Sequence, residues 1–423
     1  MDAITRGWAV VTSAEVVRLG LGLVASLVIA RALGPAGYGV YAVLAAAVGV
    51  LGALAEGGLS EAAVLRLAAR WSEPSARAFF WLRVGLATLI VGMLCLVAGP
   101  LARLVLHLDD DGTLTRWAVL GIVATACSGA TSVLLQASGR FGQMSSLTMF
   151  NTGLTVLLAL VLLQMGQLTL LTALVVLGIG TSLATFALGL ALLRIPVGLP
   201  PLAEVRTEAR ALLPVGRWLW LASVLAMLAA NLDLLIVNRF VEPTLVGAFA
   251  LAVNVASKAS VVNHSLYTVL LPGVAQLGDV LSVRAYVRRS LMRSALIVVP
   301  MAACILLAEP FVLILYGVAF AAAVPLLQLL LGVVIFDVLA TPIVLLPLAY
   351  RRPRQMAAAD AVRALTLGVV GIGLVPLIGP LGAIVARLAA RVAGAGLVVM
   401  LLGRSAAAFE VQHEEAAGAS HAG

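Results

Sequence analysis

Charged side chains inside long apolar runs are the residues of this sequence best placed to do chemistry. Hydrocarbon does not solvate a charge, so each such group needs a partner or a water-filled cavity. Arginine suits phosphate, because its planar fork donates two parallel hydrogen bonds to phosphate oxygens. We therefore predict that the intramembrane cations line a cleft and bind an anionic substrate. These cations are Arg18, Lys258, Arg363, Arg387 and Arg391.

Acidic residues accompany some of these cations. Glu15 and Arg18 lie three positions apart on one helical face, and Asp360 and Arg363 repeat that spacing. Asp233 has no such neighbour, and a carboxylate of this kind is suited to exchange a proton or a sodium ion. Two interpretations stay open, since such groups either join helices as local ion pairs or line the cleft. The residues predicted to couple transport to an ion are Asp233, Glu15, Asp360 and Glu56.

The elements that position these charges are transmembrane helices. Of the 423 residues, 62% are hydrophobic and only 11% are charged. This composition excludes a soluble enzyme, a secreted domain and a disordered scaffold. Because a spanning helix needs about 20 mostly apolar residues, the sequence predicts an all-α polytopic membrane protein with twelve transmembrane helices. The twelve runs are 8–34, 38–60, 79–106, 114–137, 144–164, 168–193, 212–239, 245–271, 291–316, 323–349, 356–378 and 381–403.

The distribution of arginine predicts the orientation of these helices. Connections on one side carry sixteen arginines and those on the other side carry four, and cytoplasmic loops carry the excess of basic residues. Both termini are therefore predicted to be cytoplasmic. Arg83 and Arg217 lie near the ends of predicted spans, where a long side chain reaches water. The net charge of +8 is explained by this topology and does not indicate a nucleic-acid partner.

The two halves of the chain repeat each other. VIARALGPAGYGVYAV (28–43) matches IVNRFVEPTLVGAFAL (236–251), which aligns Pro35 with Pro243 and Gly39 with Gly247. Each half holds six spans, an even number, so both enter the membrane in the same sense. The repeat predicts two six-helix lobes and transport by alternating access. The predicted divisions are an N-terminal lobe at 1–193, a cytoplasmic linker at 194–211, a C-terminal lobe at 212–404 and a disordered cytoplasmic tail at 405–423.

Two motifs after the first span carry a family resemblance. The first is LGPAGYGVYA at 33–42, and the second is GLSEAAVLR at 58–66, which we call the GLS motif. These segments resemble the polysaccharide flippases of the multidrug/oligosaccharidyl-lipid/polysaccharide exporter superfamily. The resemblance implies a V-shaped bundle in the bacterial inner membrane with a cationic central cavity. It implies that the protein flips undecaprenyl-pyrophosphate-linked oligosaccharide from the cytoplasmic to the outer leaflet for polysaccharide export. Arg18 is the first residue to which the resemblance assigns a role in this cationic cavity.

The resemblance also implies partners and leaves alternatives open. The partners are the lipid-linked oligosaccharide, membrane lipids, a polysaccharide polymerase and other assembly proteins. A cation-coupled multidrug antiporter of the same superfamily is one alternative, although an aromatic content of 5% and the cationic deep charges favour a phosphate-bearing substrate. A non-transporting subunit of a polysaccharide assembly complex is another. No nucleophile motif, metal constellation or phosphate-binding glycine loop is found, so we predict neither enzymatic activity nor a cofactor nor a metal.

Overall fold

The described part of the chain is built from helices. The computed structural model describes residues 3–108, 111–194, 198–261, 263, 266, 280–346 and 353–421, and no β-strand occurs within these ranges. Ten of the described helices are long and apolar enough to cross a membrane. The prediction of an all-α, multi-pass membrane protein is therefore confirmed. The chain divides into two compact units, Met1–Gly247 and Ala248–Gly423.

The N-terminal unit contains seven helices longer than one turn among its described residues. The first helix packs on the fourth, fifth and seventh, and the third packs on the fourth and seventh. Short helical turns at Ala98–Pro100 and Leu101–Val105 follow the third helix. The seven are α1 (Ala3–Glu56), α2 (Leu59–Ala69), α3 (Glu73–Leu96), α4 (Thr113–Ala137), α5 (Phe141–Gln164), α6 (Leu170–Leu193) and α7 (Leu202–Phe240).

A backbone break divides α1 into two segments. Its apolar part, Val17–Glu56, has 40 residues, and at 1.5 Å per residue it is about twice as long as a bilayer core of roughly 30 Å is thick. Gly34 leaves the helical conformation with φ 66° and ψ 175°, and Pro35 begins the second segment. The predicted spans 8–34 and 38–60 lie on the two sides of this break.

The third helix begins earlier than the sequence predicted. The expected span was 79–106, whereas α3 covers Glu73–Leu96. Ser72 caps its N-terminus in an extended conformation, and a proline follows in the first turn. Proline there loses no helical hydrogen bond, and an acidic residue such as Glu73 favours the positive end of the helix dipole. As a result, Arg83 lies near the middle of the helix and not near its end.

The GLS motif forms a tight joint between helices of the N-terminal unit. Gly57 and Gly58 both have left-handed backbones, with φ values of 62° and 64°. A Cβ atom added to Gly58 would lie 2.9 Å from the Cα atom of Trp220 on α7. Trp220 Nε1 donates to the Leu54 carbonyl at 3.1 Å. Arg66, at the end of the motif, pairs with buried Glu208 of α7 at 3.0 Å. The motif therefore fixes α2 against α7.

The two copies of the sequence repeat contact each other within the N-terminal unit. A Cβ atom added to Gly39 would lie 2.9 Å from the nitrogen of Gly247, and one added to Gly247 would lie 2.7 Å from the carbonyl carbon of Pro35. Gly39 in turn abuts the carbonyl of Pro243. The contact is reciprocal, because each glycine packs on the proline of the other copy. Glycine is required at both positions, since the backbones leave no room for a side chain.

The C-terminal unit is also helical. Its α9 (Val280–Leu315) packs on α10 (Ala323–Val344), its α11 (Pro353–Ile378) packs on α12 (Pro380–His421), and α10 contacts α12. A core of Met301, Val334, Val338 and Leu345 lies between the first two of these helices. Gly379, with φ 62°, makes the turn from α11 to α12. Helix α8 (Pro243–Ala259) begins in the N-terminal unit and precedes these four.

The finer divisions of the chain stay predictions. Ten described candidate spans do not establish a count of twelve. The expected span 245–271 begins with α8 and continues into positions that lie partly outside the described residues. The predicted divisions also stay predictions, namely the lobes at 1–193 and 212–404, the linker at 194–211 and the disordered tail at 405–423. In the structure α7 begins at Leu202 and α12 extends to His421.

Replacing Gly58 is expected to loosen the joint between α2 and α7. Gly58→Ala forces a side chain into a left-handed backbone, which costs about 1–2 kcal/mol, and directs its Cβ atom at the α7 backbone. We expect a melting temperature in detergent several degrees below that of the unaltered protein. Gly85→Ala on α3 is the control, because a Cβ atom there meets nothing within 4 Å. Equal melting temperatures for the two variants would contradict this account of the motif.

Candidate functional site

A cavity of about 590 Å³ lies within the N-terminal unit. Its volume falls in the range of small-molecule sites, which hold roughly 300–1,000 Å³. The second segment of α1 and helices α2, α3, α4 and α7 supply its wall, which is mostly alanine, glycine, valine and isoleucine. Polar atoms come from the hydroxyls of Thr125 and Ser223 and from three ionisable side chains. The ionisable groups among the described lining residues are Glu56, Glu61 and Arg83.

Arg83 is the central polar group of this cavity. The residue is only 8% exposed. Its Nη1 donates to the hydroxyl of Ser60, the serine of the GLS motif. Its Nη2 lies 3.5 Å from Glu56 Oε1 at the end of α1. The prediction that Arg83 reaches water from a helix end is therefore wrong, because α3 begins at Glu73 and carries this residue inward.

A glycine on the neighbouring helix makes room for the guanidinium. A Cβ atom added to Gly129 of α4 would lie 2.6 Å from Arg83 Nη2. The apolar residues Ala55, Ala87, Ile122 and Ala126 pack beside the ion pair. A charge pair beside apolar side chains is more strongly coupled than one in bulk water, since the effective dielectric constant is lower there. Loss of either partner would leave the other charge uncompensated.

The C-terminal unit holds a second group of intramembrane charges. Arg391 on α12 pairs with Asp337 on α10 at 3.3 Å, and Arg363 on α11 pairs with Asp360 at 3.0 Å. Arg363 and Arg387 also lie within electrostatic range of Asp337. The cluster thus joins three helices through three arginines and two aspartates. Ionised, these five side chains carry one net positive charge.

Arg18, Lys258 and Asp233 are the other predicted site residues whose side chains the structure describes. Arg18 is half-buried on the first segment of α1, and Lys258 is half-buried on α8. Asp233 is only 1% exposed on α7, and its Oδ1 accepts from the amide of Leu234 at 2.9 Å. The side chain of Glu15 lies outside the described part of the structure. None of these four is among the described residues that line the cavity. Their predicted roles stay predictions.

Sequence reasoning missed Arg83 and Ser60 as members of a site. The signal that identifies Arg83 is the Ser72–Glu73–Pro74 helix start, which places Arg83 about three turns into the helix. Ser60 was noted only as part of a family motif. Its partner lies on another helix, and no helical spacing connects the two.

The class of protein follows from these features. The chain is a multi-pass helical membrane protein with ionised groups inside its spans. The sequence model of a family described as "Polysaccharide biosynthesis protein" matches residues 28–325, which is more than half of the chain. The protein belongs to this polysaccharide biosynthesis family. A comparison with curated proteins gives no match.

Solved structures share the fold at low sequence identity. A structure of the lipid II flippase MurJ in an inward closed conformation is 12% identical, covers 93% of this chain and 87% of its own, and gives a TM-score of 0.72. An inward-facing multidrug resistance MATE family transporter of the MOP superfamily is 14% identical, with 92% and 94% covered and a TM-score of 0.66. A eukaryotic MATE transporter, AtDTX14, is 13% identical, with 95% and 96% covered and a TM-score of 0.60. The chain therefore has the fold of these membrane transporters.

Removing Arg391 is expected to destabilise the C-terminal unit through Asp337. The side chain of Asp337 is 16% exposed, so Arg391→Ala leaves a poorly solvated carboxylate. We expect a lower melting temperature for Arg391→Ala and recovery of most of the loss in Arg391→Ala/Asp337→Asn. Arg103→Ala is the comparison, because Arg103 and its partner Asp111 are 66% and 90% exposed and such pairs contribute about 0–1 kcal/mol. No recovery in the double variant would show that the pair is not coupled.

Proposed function

We propose that this protein flips undecaprenyl-pyrophosphate-linked oligosaccharide from the cytoplasmic to the outer leaflet of the bacterial inner membrane. The product would then enter polysaccharide assembly and export. Membership of the polysaccharide biosynthesis family supports this assignment, and so does a fold shared with a lipid II flippase. On this proposal the protein is a transporter and not an enzyme.

The observation that carries the proposal is the excess of arginine in the C-terminal cluster. This cluster brings the three guanidinium groups of Arg363, Arg387 and Arg391 together with the two carboxylates of Asp337 and Asp360. A net cationic site inside a membrane attracts an anion, because the bilayer itself supplies no counter-charge. Pyrophosphate has the geometry that the arginine fork binds. A cationic drug, by contrast, would be repelled by the same groups.

The proposed mechanism is alternating access in a protein of twelve spans arranged as two six-helix lobes, with both termini in the cytoplasm. The pyrophosphate and sugar occupy a cationic central cavity while the polyprenyl chain remains in lipid. Arg18 and Lys258 contribute to binding alongside the C-terminal arginines. Asp233, Glu15, Asp360 and Glu56 are the candidates for coupling to an ion. Partners on this proposal are membrane lipids, a polysaccharide polymerase and other assembly proteins.

A multidrug antiporter is the second candidate function. It is supported by the similarity in fold to multidrug resistance transporters, which covers more than nine-tenths of the chain. An antiporter for cationic drugs needs carboxylates that exchange the drug for a coupling cation. Buried Asp233 and the cavity residue Glu56 are the groups available for that exchange. A third alternative, a non-transporting subunit of an assembly complex, predicts no transport of either substrate.

Leaflet exchange of a labelled substrate tests the flippase proposal. Purified protein is placed in liposomes that carry a fluorescent polyprenyl-pyrophosphate oligosaccharide in both leaflets, and quencher added outside reports exchange. We expect exchange with the unaltered protein and a reduction of about tenfold or more in Arg387→Gln, which makes the C-terminal cluster neutral. Arg18→Ala is expected to reduce exchange as well.

The control is Arg103→Gln, which removes an exposed arginine that pairs with Asp111 outside the spans. Exchange should remain near that of the unaltered protein. Exchange in all three variants would support a flippase but reject the assigned arginines. No exchange of the lipid probe under an imposed proton or sodium gradient, together with movement of a cationic dye, would establish the antiporter instead.

A further inference from the structure

The cavity of the N-terminal unit contains an arginine with unused hydrogen-bonding capacity. A guanidinium has five N–H donors. In Arg83, Nη1 donates to Ser60 and Nη2 approaches Glu56, but Nε is buried and has no hydrogen-bond partner among the described residues. A buried donor without an acceptor is rare in folded proteins, because its lost hydration is not replaced. Arg83 therefore lines the cavity with a guanidinium whose donors the described residues do not all use.

Glu56 compensates the charge of Arg83 without saturating its donors. The separation of 3.5 Å between Nη2 and Oε1 is that of an ion pair, and it exceeds the roughly 2.7–2.9 Å of a charge-assisted hydrogen bond. An incoming anion would find free donors on Arg83 but would be repelled by the ionised carboxylate beside it. Protonation of Glu56 removes that repulsion and frees Nη2.

The other charged and titratable groups near this pair are few in the described structure. On α2, Glu61 is an exposed residue of the cavity lining that lies within electrostatic range of Arg83, so it too would oppose an incoming anion when ionised. On α4, Cys127 lies within electrostatic range of Arg83. The residues that α7 contributes are Ser223, Ala226, Met227 and Ala230, none of which is ionisable. Glu56 is thus the carboxylate whose protonation state changes the availability of Arg83 most directly.

We propose that this cavity is a proton-gated anion site, in which protonation of Glu56 releases Arg83 to bind a phosphate or pyrophosphate group. Glu56 takes up one proton from water, its ion pair with Arg83 opens, and the anion replaces the carboxylate as the partner of the guanidinium. The identity of the anion as the pyrophosphate of a lipid-linked substrate rests on the proposed function. Anion binding and proton uptake do not. Because the two events are linked, binding of the anion also promotes proton uptake.

Calorimetry with inorganic pyrophosphate tests the site in the full-length protein held in nanodiscs. Titration at pH 8 in buffers of different ionisation enthalpy gives the affinity and the number of protons taken up. We expect the unaltered protein to take up about one proton more than Glu56→Gln, whose amide mimics the protonated acid. Glu56→Gln should also bind at least about tenfold more tightly at this pH. Protonation of pyrophosphate itself is common to both and cancels in the comparison.

Three further variants keep the outcome decisive. Arg83→Gln is expected to abolish binding, and Arg83→Lys, which keeps the charge but not the fork, to weaken it. Glu73→Gln, at an exposed position in the first turn of the same helix, should match the unaltered protein in affinity and proton uptake. Should Glu56→Gln fail to fold, Glu56→Ala replaces it, with the extra proton uptake lost and affinity at pH 8 increased, because no carboxylate at this position then repels the anion.

Equal affinity and equal proton uptake in Glu56→Gln and the unaltered protein would overturn the proposal, as would undiminished binding in Arg83→Gln. Competition by a short-chain prenyl pyrophosphate would identify a lipid-borne ligand, and binding of the inorganic anion alone would identify a free one. Either result retains the site. Failure of leaflet exchange with intact proton-linked binding would reject the flippase and keep this inference. Intact exchange without proton-linked binding would keep the flippase and reject this inference.

Discussion

A charge inside a membrane protein must find its counter-charge within the protein, and this requirement governs the arrangement of both units. Arg83 meets it by reaching from α3 to Glu56 at the end of α1. Arg391 meets it by reaching from α12 to Asp337 on α10. In each unit the ion pair joins two different helices, so neutralising the charge also ties the bundle together. The units differ in the charges that they gather, since the C-terminal cluster holds three arginines and two aspartates.

Close approach of backbones is the second condition that the fold satisfies. Glycine occurs where two backbones meet without space for a side chain, at Gly58 against α7 and at Gly39 against Gly247. The same joint that contains Gly58 also places Ser60, the acceptor for Arg83. The glycine that packs on α7 and the serine that binds Arg83 are therefore only two positions apart in the sequence. A displacement of α2 would move the hydroxyl away from the guanidinium and disturb the cavity.

Much of the fold could be predicted from the sequence, because the length of an apolar run and a helix break at glycine and proline are local properties of the chain. The all-helical membrane class and the break at Gly34–Pro35 follow from them, and so does the i,i+3 spacing that pairs Asp360 with Arg363. The charge pairs between helices could not be predicted, since no periodicity along the chain relates Glu56 to Arg83. Arg83 was misplaced for a simpler reason. The first turns of α3 are polar, so a search for apolar runs places the start of the span at residue 79 and not at Glu73.

The reciprocal packing of Pro35 and Gly39 on Gly247 and Pro243 has an evolutionary consequence. Each side of the contact is a copy of the same segment, so a single copy is complementary to itself. Self-complementary surfaces produce symmetric pairs. A half-length ancestor with one copy would have had the means to dimerise before its gene was duplicated and fused. Fusion would then have freed the two copies to diverge outside the prolines and glycines where they touch.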